Sequence, residues 1–418
     1  QKCEHTMNGN SEEPAVKQRR VFYIPGYDPI HPRRYRELYR KEGSAQAEIS
    51  GYDIAISPKK TDGQYGWHAT GSIGGVDVSA DIDVLVWSDI VRVSMTDTIL
   101  STYLQLARTA WTYIASGALR RLMWMRKGPV IAALYPVGML LLQLVLAVVL
   151  AIGVHSSVSW AMAPLIGSVA GLLGLIAGIG AMILVLRWFR KKDGKFFAYY
   201  LMHDYAYSAR WNGANPPELE TRMAEFGDLI AEALKEDVDE VLVVGHSSGA
   251  HLAVSVLSDL LRAERVPSDG PTLGFLSLGQ VVPMVSFLPD AWRLRADLAY
   301  LSVSEKLTWV DVTAPGDGCA FALCDPVGVS GVAPEGQKWP LVISAAFTQS
   351  LSPERWKELC WRFFRLHFQY LCAFDRPKDY DYFQITAGPL TLAERYRGRN
   401  PSKSRITTAV SKHTSVTP

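Results

Sequence analysis

Cysteine is scarce in this 418-residue chain: five occur, at Cys3, Cys319, Cys324, Cys360 and Cys372, and no two form a CxxC pair. So odd and scattered a set argues against a disulfide framework or a zinc site and fits a reducing compartment. No metal and no cofactor is expected. A long block of one charge is also missing, and the formal net charge is only +2. That balance excludes the basic footprint by which proteins hold nucleic acid. The opening 20 residues contain no apolar run and no small-residue cleavage site, so no secretory signal peptide is expected.

Two long uncharged stretches are present instead. Gly128 to Val154 and Ser156 to Leu186 contain no Asp, Glu, Lys or Arg, and Leu, Val, Ala and Ile dominate both. A hydrocarbon core of ~30 Å takes about 20 helical residues to cross. Each stretch is long enough, and spans are expected at about 129–154 and 161–187, joined by a short loop around His155 to Trp160. Arg120, Arg121, Arg126 and Lys127 flank one side, and Arg187, Arg190, Lys191, Lys192 and Lys195 the other. Basic residues remain cytoplasmic. The expectation is an integral protein of an inner or plasma membrane, with its soluble part and both termini in the cytoplasm and the lipid bilayer as partner. Spans without interior charge speak against a transporter or channel. Gly167/Gly171 and Gly174/Gly178 are GxxxG pairs, which let helices approach closely. They are expected to pack the second span on the first, with a homo-oligomer or membrane partner as the alternative. Thr98 to Met125 reads as a further apolar helix, continuous with the anchor or lying in the interface.

Without this insertion the chain alternates strands and helices. Arg20 to Ile24, Asp83 to Trp87, Glu240 to Val244, Gly274 to Leu278, Leu307 to Thr313 and Leu341 to Ala346 read as short apolar strands. Glu218 to Lys235 and Ala250 to Arg262 carry helical periodicity. The fold class is therefore α/β, a mostly parallel sheet with helices on both faces, interrupted by the two-helix insertion. The divisions are 1–19, a polar tail; 20–97, the first part of the α/β domain; 98–194, the anchoring helices; 195–396, its second part; and 397–418, a polar tail expected to be disordered. Residues 29–80, rich in Gly, Tyr and charge, fit either substrate binding or a connection between strands.

Gly245-His246-Ser247-Ser248-Gly249 has the form G-x-S-x-G. An apolar strand leads into it and an amphipathic helix leads out, the context in which a serine is raised on a tight turn above the sheet. The turn demands small neighbours. Ser247 is the candidate nucleophile, and the Ser248 N–H a candidate oxyanion donor. With its strand order and the loop Pro25-Gly26-Tyr27-Asp28, this elbow resembles the α/β-hydrolase superfamily over roughly residues 20–90 and 195–390. The loop is similar to the superfamily's first oxyanion loop, although Pro25 stands where histidine is common. By that likeness the Tyr27 N–H is the second oxyanion donor; a plain Pro-Gly turn is the other reading.

The resemblance implies the chain order serine, acid, histidine. Apart from the elbow's own His246 and His251, only His367 and His413 follow Ser247. His413 falls in the polar tail, so His367 is the candidate base, at the end of a helix expected from about Pro353. Asp317 is the candidate acid, just past the strand ending at Thr313, with Asp311 and Asp325 in reserve. The implied activity is a serine esterase or lipase acting through an acyl-enzyme on lipid or acyl esters. A soluble ester, a thioester or a peptide remains open as substrate. The alternative is a non-catalytic subunit of a membrane complex that keeps the fold.

Overall fold

The computed structural model describes residues 16–59, 63–95, 98–196 and 198–418. Most of the expected N-terminal tail therefore lies outside the described residues. Eight strands form one sheet: β1 (Gln18–Ile24), β2 (Asp53–Pro58), β3 (Gly66–Ile73), β4 (Val76–Val84), β5 (Glu240–His246), β6 (Thr272–Leu278), β7 (Thr308–Thr313) and β8 (Leu341–Ser344), in the order β2-β3-β4-β1-β5-β6-β7-β8. From β4 to β8 every pairing is parallel. β2, β3 and β4 form an antiparallel meander at one edge.

Every residue of β5 is buried. Val241 and Val243 pack into one core, with the helices Pro217–Ala233 and Gly249–Arg262; Leu242 and Val244 pack into the other, with Tyr39 and Phe383. A strand apolar on both faces needs cover on both faces, which is why helices flank the sheet. At the base of β1 and β5, Arg19 and Glu240 pair at 2.6 Å with both side chains fully buried. The Arg19 guanidinium also donates to the carbonyls of Gly388 and Leu390. These bonds satisfy a charge that could not otherwise stay in the interior.

The unassigned region 29–80 is the helix Arg33–Ser50 followed by β2 and β3. The Thr98 to Met125 segment is two helices, Ile99–Ala115 and Ala118–Met125, broken at Gly117 with φ of +78°. The two apolar stretches are the helices Lys127–Ile166 and Val169–Lys191, both long and apolar enough to cross a membrane. The expected loop at His155 to Trp160 is helical, and the chain reverses at Gly167. Ser and His tolerate a helix, whereas Gly167, at φ of +56° and ψ of −130°, takes a backbone conformation open to glycine. A Cβ on Gly178 would lie 2.7 Å from the Ala151 carbonyl oxygen, and one on Gly174 would lie 2.6 Å from that of His155. This glycine pair thus packs the two helices on each other.

The C-terminal segment is not a loose tail. Ser402 donates its N–H to the Val342 carbonyl, Ile406 pairs with Cys324, and Val410 donates to the Val329 carbonyl. Polar composition suggested disorder. The backbone groups are satisfied instead on β8, on the segment after β7 and on the end of the helix Pro326–Val329.

Candidate active site

Ser247 occupies the turn between β5 and the helix Gly249–Arg262, with φ of +57°. That left-handed conformation costs a non-glycine residue about 1–3 kcal/mol and persists only where the surroundings enforce it. They do so here. The Ser247 N–H donates to the Leu278 carbonyl at 2.9 Å, and its carbonyl accepts from Ala250 at 3.1 Å. A Cβ on Gly249 would lie 2.1 Å from the Ile24 carbonyl oxygen, and one on Gly245 would lie 2.7 Å from the Ala250 Cα. Both elbow glycines are therefore required by close backbone approach.

The loop after β1 lies directly against the serine, since a Cβ on Gly26 would be 3.0 Å from that of Ser247. The Trp87 indole N–H holds the Pro25 carbonyl at 2.9 Å, and the Tyr200 hydroxyl donates to the Tyr27 carbonyl. Among the described residues, the backbone N–H groups of Tyr27 and Ser248 have no acceptor.

Asp317 follows β7 through Ala314-Pro315-Gly316. One carboxylate oxygen receives the His367 Nδ1–H at 2.7 Å and the Tyr370 hydroxyl at 3.0 Å, and the other receives the Cys319 N–H at 2.9 Å. His367 closes a short helix, Phe363–His367, which is separate from Pro353–Leu359 rather than one continuous helix. Its ring rests on Gly279 just past β6, where a Cβ would come within 3.1 Å of the imidazole Cε1. The His367 carbonyl accepts from His246 Nε2 at 3.0 Å.

Ser247, Ser248, Tyr27 and His367 all line one cavity of about 90 Å³, with Asp317 behind the histidine. No hydrogen bond joins Ser247 to His367 in this conformation. The reserve acids lie elsewhere. Asp311 is fully buried within β7, bonded to the Ser277 hydroxyl at 2.6 Å, and burial pushes its pKa up to about 8. Asp325 caps the helix Pro326–Val329. Burial drives His246 down to about 3, so it packs as a neutral ring. His413 donates toward the Ser116 carbonyl, on another face.

Asp317, Cys319 and His367 offer ligand atoms within 4.8 Å of one another, a spacing a metal could use. The donors do not fit one well. The Asp317 oxygens are already engaged by three protein donors, and burial holds the Cys319 thiol well above its ordinary pKa and therefore protonated.

Two further polar groups face the cavity: His251, which sequence allowed to line the site although it does not fit the serine-acid-histidine order, and Asp204, which was not singled out. Burial raises Asp204 to about 7, against the opposing pull of His367. His251 is buried with Nδ1 unpartnered and is lowered to about 4 by desolvation. The available signal was helical spacing: Tyr200, Asp204 and Ser208 recur every fourth residue on the helix Ala198–Arg210 and share its cavity face. Comparison with protein-family models, curated proteins and solved structures gives no match.

Proposed function

We propose that this chain is a membrane-anchored serine hydrolase of α/β-hydrolase type that cleaves carboxylic esters. The observation carrying this reading is the combination of a left-handed Ser247 in a cavity with His367, whose far nitrogen is fixed by a buried Asp317. Asp317 holds the imidazole with Nδ1 protonated, leaving Nε2 free to accept a proton. Ser247 Oγ attacks the ester carbonyl carbon and His367 takes its proton. The tetrahedral oxyanion is received by the Tyr27 and Ser248 N–H groups. The carbon–oxygen bond to the alcohol then breaks, and His367 returns the proton to that leaving group. Water, deprotonated by His367, attacks the acyl-enzyme and releases the carboxylic acid and Ser247. The two apolar helices anchor this chemistry at a membrane, with basic flanks on the cytoplasmic side.

One observation favours a second reading, a non-catalytic subunit: the absence of a Ser247–His367 hydrogen bond. Such bonds are often long before substrate binds and tighten in the reacting complex. Fluorophosphonate labelling of the detergent-solubilised protein separates the two. Labelling of wild type that disappears in Ser247→Ala is the expected outcome. A folded wild type that takes no label rejects the hydrolase reading in favour of the subunit.

A further inference from the structure

A second cavity, of about 160 Å³, lies beside the Ser247 cavity, enclosed by the helices Ile99–Ala115, Ala118–Met125, Lys127–Ile166 and Ala198–Arg210. No charged residue lines it. Tyr113, Tyr205 and Met284 belong to the walls of both cavities, so three side chains form the partition between them. The partition is held by the Tyr113 hydroxyl, which donates to the Met284 carbonyl at 2.8 Å. On the opposite side the lining includes Ile114 and Leu134, which are 61% and 40% exposed. Leu134 belongs to the long apolar helix, so this rim is continuous with the surface that faces hydrocarbon in the anchored protein.

We propose that this cavity is the acyl-chain site of the enzyme. A fatty acyl chain of a membrane lipid passes Ile114 and Leu134 from the bilayer, and its ester carbonyl reaches Ser247 at the Tyr113–Tyr205–Met284 partition. The proposal rests on the hydrolase reading above and names its substrate class. The chemistry of the lining selects the occupant: a charge-free, apolar enclosure stays dry and takes hydrocarbon. A polar headgroup there would leave its hydrogen bonds unmade. The opening toward apolar helix surface commits the source to membrane lipid.

The test uses the full chain carrying Ser247→Ala, reconstituted in phosphatidylcholine nanodiscs and photolysed with a diazirine-bearing palmitic acid. Crosslinks are expected on Tyr113, Tyr205 and Met284. Filling the cavity from two different helices, by Ala110→Phe or Ala133→Phe, should each reduce them about tenfold or more. Crosslinks confined to outward residues such as Leu146 and Leu172, or unmoved by both fillings, overturn the proposal. With Ser247 restored, the same fillings should depress hydrolysis of a dodecanoyl ester about tenfold relative to a butyryl ester. An equal change for both esters also overturns it. A wild type that crosslinks but hydrolyses neither ester supports the chain site and strikes the hydrolase reading alone.

Discussion

Leu242, Val243 and Val244 of β5 are sealed from solvent, whereas Leu146, Val149 and Ile152 of the helix Lys127–Ile166 are 47%, 61% and 60% exposed. The side chains are of one kind and their placements are opposite. In the sheet, apolar residues leave water by packing on both faces. In the hairpin they project outward, which is stable only where the surroundings are themselves apolar. Polar groups follow the same division. The sheet domain buries Arg19 paired with Glu240 and Asp317 paired with His367. The paired helices instead approach through small residues, Gly174 and Gly178. One half of the molecule uses directional bonds to place chemistry, and the other uses shape to hold position.

If that division is real, each half can be damaged without the other. The largest effect belongs to Ser247→Ala, expected to lower ester turnover by about 10⁶-fold, with extraction from membranes by alkaline carbonate unchanged. A variant that also becomes extractable would show the halves to be coupled. Next comes Arg19→Met, which leaves Glu240 charged, buried and unpaired. A cost of about 3–5 kcal/mol is expected, read as a lowered denaturation midpoint in detergent, with resistance of the hairpin to proteolysis retained. Smaller again is Gly178→Ile, whose side chain meets the Ala151 carbonyl; overpacking of this kind costs about 1–3 kcal/mol. Gly171→Ile is its control, since a Cβ there meets nothing within 4 Å. Disulfide-trapping between the helices should fall in the first variant and stay level in the second, with ester turnover intact in both. Disruption by Gly171→Ile instead would mean that this face meets another membrane helix.

The same division explains what could be read from sequence. The long uncharged runs, the G-x-S-x-G turn and the flat apolar run of β5 are local signals, each legible within about a dozen residues. The antiparallel edge was not: β3 alternates, with Trp67, Ala69 and Gly71 buried between less buried His68, Thr70 and Ser72, but β2 and β3 are rich in Ser, Thr and Gly and short of large apolar residues. His367 and Asp317 were selected by order along the chain, but the contacts made on them, by Tyr370 with Asp317 and by Gly279 with the His367 ring, join distant segments and carry no local mark. The C-terminal segment misled because its polar side chains conceal a backbone bonded to elements far earlier in the chain, Ser402 to Val342 of β8 and Val410 to Val329 at the end of a helix.

Asp204 provides the smallest and most specific of these tests, since its carboxyl lines the same cavity as Ser247 and His367. Burial raises its pKa in the folded chain to about 7, while the unfolded chain keeps the ordinary carboxylate value of 3.8. Below that ordinary value both states are protonated and the residue has no effect on stability. As pH rises toward 7, the unfolded chain has released a proton that the folded chain still holds, so stability falls with pH; above about 7 the full penalty is present. Asp204→Asn removes the penalty. The variant should therefore melt with wild type near pH 4 and above it near pH 8, the gap opening between those limits. A melting difference independent of pH would mean that Asp204 is ionised throughout and stabilised by a partner other than water.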